Sequence, residues 1–200
     1  MNQHLHHDLK RAIASEHYDI TEQGVAFPAQ SALVSGEYFW RVNDGEVEHH
    51  KNLITTEGLA HVLNVAMGAT PKPSAYYLAL FNGSATPQAN WNAASFSAVA
   101  GEITSQAEGY TSATRPVWTP STANGGSIDN IGNGSGDLSS AAKVTIATAS
   151  QLNVTGIALL TASAKGATTG VLVSAFKMPL ARTLQNGDTF FIGYRFSLTV

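Results

Sequence analysis

Apolar positions in this chain fall into short runs, some alternating with polar ones at a two-residue period, and one segment carries a clear helical period. Glu37-Tyr38-Phe39-Trp40-Arg41-Val42 alternates and is β-prone. Asn43-Asp44-Gly45 supplies a turn, with Gly45 able to take positive φ, and Val47-Glu48-His49-His50 returns, so a hairpin is predicted. Phe39 and Trp40 point to opposite faces of such a strand, so one large ring must face solvent or another element. The helical period comes next. Leu59, Val62, Leu63 and Ala66 fall at i, i+3, i+4 and i+7. Thr55 or Thr56 can cap the segment, and Glu57 suits its positive end. Gly68 is placed to close it in a left-handed conformation, and Pro71 and Pro73 prevent resumption. The pattern predicts one amphipathic helix over about 55–67 whose stripe packs on a sheet.

The remaining apolar runs read as strands. They are Ala75–Phe81, Lys143–Thr148 with Val144 and Ile146 inward, Asn153–Thr161, Val171–Phe176, Lys177–Leu184, and Thr189–Val200 after an Asn186-Gly187-Asp188 turn. Such spacing around one helix predicts a mainly β fold, a β-sandwich, of which a jelly roll is one form. Residues 1–30 read as an N-terminal arm and residues 31–200 as a single sandwich domain with the embedded helix. Within the arm, His4–Ser15 carries Leu5, Leu9 and Ile13 on one helical stripe. A helix this short is marginal alone, so it either frays or docks, and contact with another subunit is expected.

Between Phe81 and Lys143 lies a long excursion. Its stretch from Trp91 to Ile128 is nearly uncharged and rich in Ser, Thr, Ala and Gly, yet holds Trp91, Phe96, Tyr110 and Trp118. Disordered linkers of that polarity lack such anchors. An excursion longer than about 15 residues usually folds on itself or carries function. Docking against the β-framework or a neighbouring subunit is therefore expected. Arg115 is the one charge between Glu108 and Asp129, placed to stack on a ring, to clamp a carbonyl, or to sit exposed at a bend. Trp40, Trp91, Tyr110, Arg115 and Trp118 form the candidate interface set. Asn124–Ser140 is the most glycine-rich piece and reads as a mobile surface loop.

Composition narrows the function classes. Charged residues make up 12% of the chain, about half the usual ~25%, so the surface is neutral polar or hidden against partners. Residues 1–60 hold nine acids and four bases, a net of −5, while the rest holds seven bases and five acids, a net of +2. The two parts can attract each other between copies, or the front is simply solvated. A formal net charge of −3 with no basic stripe argues against nucleic acid. There is no cysteine, hence no disulfide or thiolate chemistry. The N-terminal residues lack an apolar core, so no signal peptide is expected. No run of about 18 apolar residues suggests a membrane span.

Candidate chemistry is sparse. His4, His6 and His7 cluster near the N-terminus, and His49 and His50 are adjacent. Neighbours on a regular strand face opposite sides and cannot chelate one ion, and the first group lacks an i, i+4 pair or a carboxylate. Hydrolase, metalloprotease and nucleotide-binding signatures do not occur. Glu102 with Glu108 is the one carboxylate pair conceivable for glycoside hydrolysis, against a solvated role for both. No catalytic residue, metal or cofactor is expected. Exposed Trp40, Trp91 and Trp118 would make a sugar-stacking platform, which keeps a carbohydrate-binding module among the alternatives.

Several pieces in order carry a resemblance. Asn52-Leu53-Ile54-Thr55-Thr56-Glu57-Gly58-Leu59 opens the helix, preceded by a hairpin with an Asp-Gly turn. Tyr77-Leu78-Ala79-Leu80-Phe81 follows as a strand. Trp91 then precedes Tyr110-Thr111-Ser112-Ala113-Thr114-Arg115-Pro116-Val117-Trp118, and Asn186-Gly187-Asp188-Thr189 opens the last strand. Over roughly residues 36–200 this resembles small structural proteins of tailed bacteriophage virions; the first thirty residues lie outside the resemblance. It implies a non-enzymatic virion component assembled in the host cytoplasm, in particular a capsid decoration (cement) protein with a β-sandwich fold. The implied partners are the major capsid protein or other virion proteins and further copies of the chain, as a trimer or dimer, with no nucleic acid and no membrane. A tail, collar or fibre-base protein is the alternative within the virion.

Overall fold

A computed structural model describes residues 18–20, 26–28, 33–132, 134 and 136–199. The chain divides into two compact units, of which the larger spans Ser35–Ser197. Outside it, β1 (Tyr18–Ile20) and β2 (Ala26–Pro28) pair antiparallel. The predicted arm helix His4–Ser15 lies outside the described residues.

The larger unit is a β-sandwich of two antiparallel sheets, as the periodicity predicts. One sheet holds β3 (Leu33–Val42), β4 (Glu48–Lys51), β7 (Gly109–Tyr110), β10 (Ala142–Ala147) and β13 (Thr189–Thr199) in the order β4-β3-β13-β10-β7, and β9 (Ser127–Asp129) also pairs with β13. The other holds β5 (Leu53–Ile54), β6 (Tyr76–Phe81), β8 (Val117–Trp118), β11 (Leu152–Leu160) and β12 (Leu172–Leu184) in the order β5-β12-β11-β6-β8.

Alternation sorts the side chains. Tyr38, Trp40, Leu78, Leu80, Val144, Ile146, Ile157, Leu159, Phe190, Ile192 and Tyr194 fill the space between the sheets. The interleaved positions build a second layer outside each sheet. On the five-stranded sheet, Ala79, Ala158 and Ala175 are small enough for helix α2 (Ala93–Ala100) to lie close, burying Ala93, Phe96 and Ala100. Phe96 meets Phe81 edge to face with ring centroids 6.0 Å apart. On the other sheet, Phe39 is buried under Ile131 and Leu138. Phe39 and Trp40 thus both find apolar cover, on opposite faces.

The segments Val171–Phe176 and Lys177–Leu184 join as the single strand β12 of 13 residues. The ladder is interrupted, however: Gly156 pairs with Lys177 and Val154 with Arg182, so Met178 to Ala181 stand opposite Thr155 alone. Pro179 has no N–H to give the ladder, which favours a break at this point.

Three local expectations are corrected. The hairpin turn places Asn43, not Gly45, at positive φ, 50°; Asn tolerates the left-handed region through its short polar side chain. Helix α1 (Thr56–Ala66) ends at Met67 with φ −123°, and Gly68 is not among the positive-φ glycines. The Asn124–Ser140 segment is held down at two described positions, Ile131 and Leu138, which are buried over Phe39. Helix α2 is a further element, within the long excursion between Phe81 and Lys143, and adds a second helix to the one expected.

Candidate functional site

The sandwich absorbs the aromatic residues of the candidate interface set. Trp40 packs on Phe176 with centroids 5.3 Å apart, and Trp91 joins the α2 layer. Trp118 stands edge-on to Tyr76 and Tyr194 and donates its indole N–H to the Tyr194 carbonyl at 3.0 Å. Tyr110 is fully buried, and burial raises its phenol pKa well above the ordinary value. All three tryptophans are buried, so they form no exposed platform on this chain.

Arg115 is the most informative of the five. It clamps a carbonyl, as one reading of the sequence held, and it also forms a fully buried ion pair. Its Nε and Nη2 donate to Glu102 Oε1 and Oε2 at 2.7 and 2.8 Å, and Nη1 donates to the Ala162 carbonyl at 2.8 Å. Both side chains have 0% exposure. Glu102 Oε2 also accepts the Gly166 N–H at 3.0 Å. Beside them the Lys165 ammonium lies 3.4 Å from the Tyr110 ring centroid and donates to the Tyr110 carbonyl at 2.9 Å. Burial pulls Lys165 down to about 8 despite the opposing charge of Glu102. These contacts fasten the 101–118 excursion to the loop after β11. Glu102 and Glu108 hold separate structural posts, since Glu108 accepts from the Thr148 hydroxyl at 2.8 Å and from the Ala149 N–H at 3.1 Å.

Among the described residues no group of three His, Cys, Asp or Glu side chains is placed to hold a metal. His49 bonds Glu37 at 2.7 Å, and His50 bonds the Lys51 carbonyl while stacking on Phe176. His4, His6 and His7 lie outside the described residues. No helix among the described residues is long and apolar enough to cross a membrane.

The sequence pattern misassigned the face of α1. Thr55 caps it through a hydroxyl that accepts the Gly58 N–H at 2.9 Å, and Glu57 occupies its first turn. The Glu57 carboxylate accepts N–H groups from Ala93, the first residue of α2, at 2.9 Å and from Leu172 at 2.7 Å. Gly58 sits so close to β12 that a Cβ there would lie 2.1 Å from the Val173 carbonyl oxygen. That glycine sets the rotation of the helix. Gly58 and His61 face the sheet, Val62 and Val65 are half-buried, and the expected stripe member Leu63 points outward. His61 Nε2 meets the Tyr76 hydroxyl at 3.0 Å, and burial lowers the His61 pKa against the pull of Glu57.

Two surface features result. Leu59, Leu63 and Met67, at i, i+4 and i+8, are 40%, 63% and 87% exposed, a stripe with no charged residue between Glu57 and Lys72. On the adjoining flank of α1 an apolar cavity of about 360 Å³ opens between the helix and the sandwich. Val62, Tyr76, Trp118, Leu159, Val173 and Phe196 contribute to its walls.

No protein-family profile matches the chain, and no curated protein matches it.

Proposed function

We propose that this protein is a non-enzymatic structural component of a tailed-bacteriophage virion, a decoration (cement) protein that caps the shell as a homo-oligomer and binds the major capsid protein. The observation that carries this reading is the outward stripe Leu59-Leu63-Met67. Each sheet already has its own outer apolar cover, and Leu63 and Met67 leave most of their surface, 63% and 87%, to solvent. Exposed aliphatic residues in a row on an uncharged helix face are suited to a protein contact. The ordered resemblance over residues 36–200, the low charge and the mainly β architecture support the same reading. Arg115, Glu102 and Glu108, the charged groups of the long excursion, are occupied in holding loops, which favours a structural role for them over catalysis.

Leu63→Asp combined with Met67→Lys tests it. Both positions are exposed, so the fold should persist by circular dichroism while incorporation into particles falls at least tenfold. Normal incorporation of the folded double variant would remove the stripe as the docking face. Mass-spectrometric counting against the major shell protein separates the two virion readings. Hundreds of copies per particle mean decoration, and small multiples of three, six or twelve mean a tail, collar or fibre base.

A further inference from the structure

We infer that the cavity beside α1 is a binding site for a medium-length alkyl chain that ends in a carboxylate. The walls come from both sheets and from the helix: Val62, Tyr76, Trp118, Leu159, Val173 and Phe196. Leu159 and Val173 belong to the core between the sheets, so the cavity reaches inward and is more than a surface dimple. Most of the lining side chains are apolar, and deep in the walls the Trp118 indole N–H binds the Tyr194 carbonyl and the Tyr76 hydroxyl binds His61. An occupant must therefore be apolar along its length.

The volume, about 360 Å³, lies at the small end of the range for small-molecule sites, which suits an unbranched chain of medium length. A single aliphatic side chain from a protein partner would leave much of that space empty. One charged residue lines the cavity, Lys72, and it is exposed with no ion-pair or hydrogen-bond partner among the described residues. An apolar body with one anionic head matches that distribution, with the head meeting the Lys72 ammonium and the chain running toward Leu159 and Val173. The inference stands apart from the virion reading, because binding by the isolated chain does not depend on whether the chain enters particles.

Isothermal titration of the full chain with octanoate, decanoate and decanol tests it. Decanoate is expected to bind at one site, tighter than octanoate by about tenfold for the added methylene pair. Lys72→Gln should weaken decanoate several-fold and leave decanol unchanged. Val117→Trp, at the exposed rim, should block all three ligands, and Val62→Trp should do the same from the helix side. A thermal melt of each variant establishes that it is folded before titration. Absence of decanoate binding to the wild-type chain below millimolar concentration would overturn the site. Equal decanoate binding by Lys72→Gln would overturn the anionic head, and unchanged binding in both tryptophan variants would overturn the location. Lack of decanoate binding together with loss of particle incorporation in Val117→Trp would assign the cavity to a protein side chain, against this inference.

Discussion

Replacing Arg115 by Met is the most exacting test of how the long excursion is held. The substitution removes two charge-assisted bonds to Glu102 and one bond to the Ala162 carbonyl while keeping most of the side-chain length. Glu102 would remain with 0% exposure and only the Gly166 N–H as a hydrogen-bond partner. Breaking a buried pair by removing one partner costs about 3–5 kcal/mol, because the remaining charge is neither hydrated nor paired. Lys165, which already feels the Glu102 charge, offsets part of that, so a loss near the lower end, about 3 kcal/mol, is expected. With a urea m-value of about 2 kcal/mol/M for a domain of this size, the midpoint should fall by about 1.5 M. The companion Glu102→Leu/Arg115→Met removes both charges and should be less destabilised than the sum of the single variants by about 2 kcal/mol. Urea denaturation followed by tryptophan fluorescence reads all of these, since Trp118 lies on the same segment. A loss below about 1 kcal/mol for Arg115→Met, or simple additivity in the double variant, would refute the view that this pair fastens the excursion.

Other expectations follow from individual contacts. Glu57→Ala strands the N–H groups of Ala93 and Leu172 and should cost about 2–4 kcal/mol in urea unfolding, whereas Glu57→Gln, which retains an acceptor oxygen, should cost less than half as much. Gly58→Ala forces α1 away from the Val173 carbonyl and should lower stability by about 1–3 kcal/mol, although alanine is the better helix former. Burial raises the phenols of Tyr38 and Tyr110, and that of Tyr194 to about 12. Unfolded tyrosines ionise near 10, so these groups contribute stability that is complete below that pH and lost as pH rises toward 12. Absorbance at about 295 nm should therefore show these tyrosines ionising together with unfolding, and independent titration near pH 10 in a folded chain would contradict their burial.

How much was legible in the sequence depended on the range of the interaction. Alternation located β10, where Val144 and Ile146 point inward, and apolar runs bounded by turn residues located β6, β11 and β13. Thr55 and Glu57 marked the start of α1 through local hydrogen-bond chemistry. Asn92 and Gly101 flank α2 in the same way, as N-cap and as a left-handed C-cap with φ 66°, and could have revealed it. Its uncharged Ala and Ser residues give little amphipathic contrast, because the alanine-lined sheet face it covers requires small side chains.

The sequence by itself determined a mainly β chain, one capped helix near residue 56, and an excursion anchored by aromatic residues. These depend on backbone period, caps and side-chain size, which act within a few residues. The tertiary structure decided what those anchors serve. It buried Trp40, Trp91, Tyr110 and Trp118 inside the chain, paired Arg115 with Glu102, and used Gly58 against Val173 to turn Leu59, Leu63 and Met67 outward. A stripe of apolar residues fixes that a helix has an apolar side. Which side meets the sheet depends on where the backbones can approach most closely, and that is a property of the assembled layers.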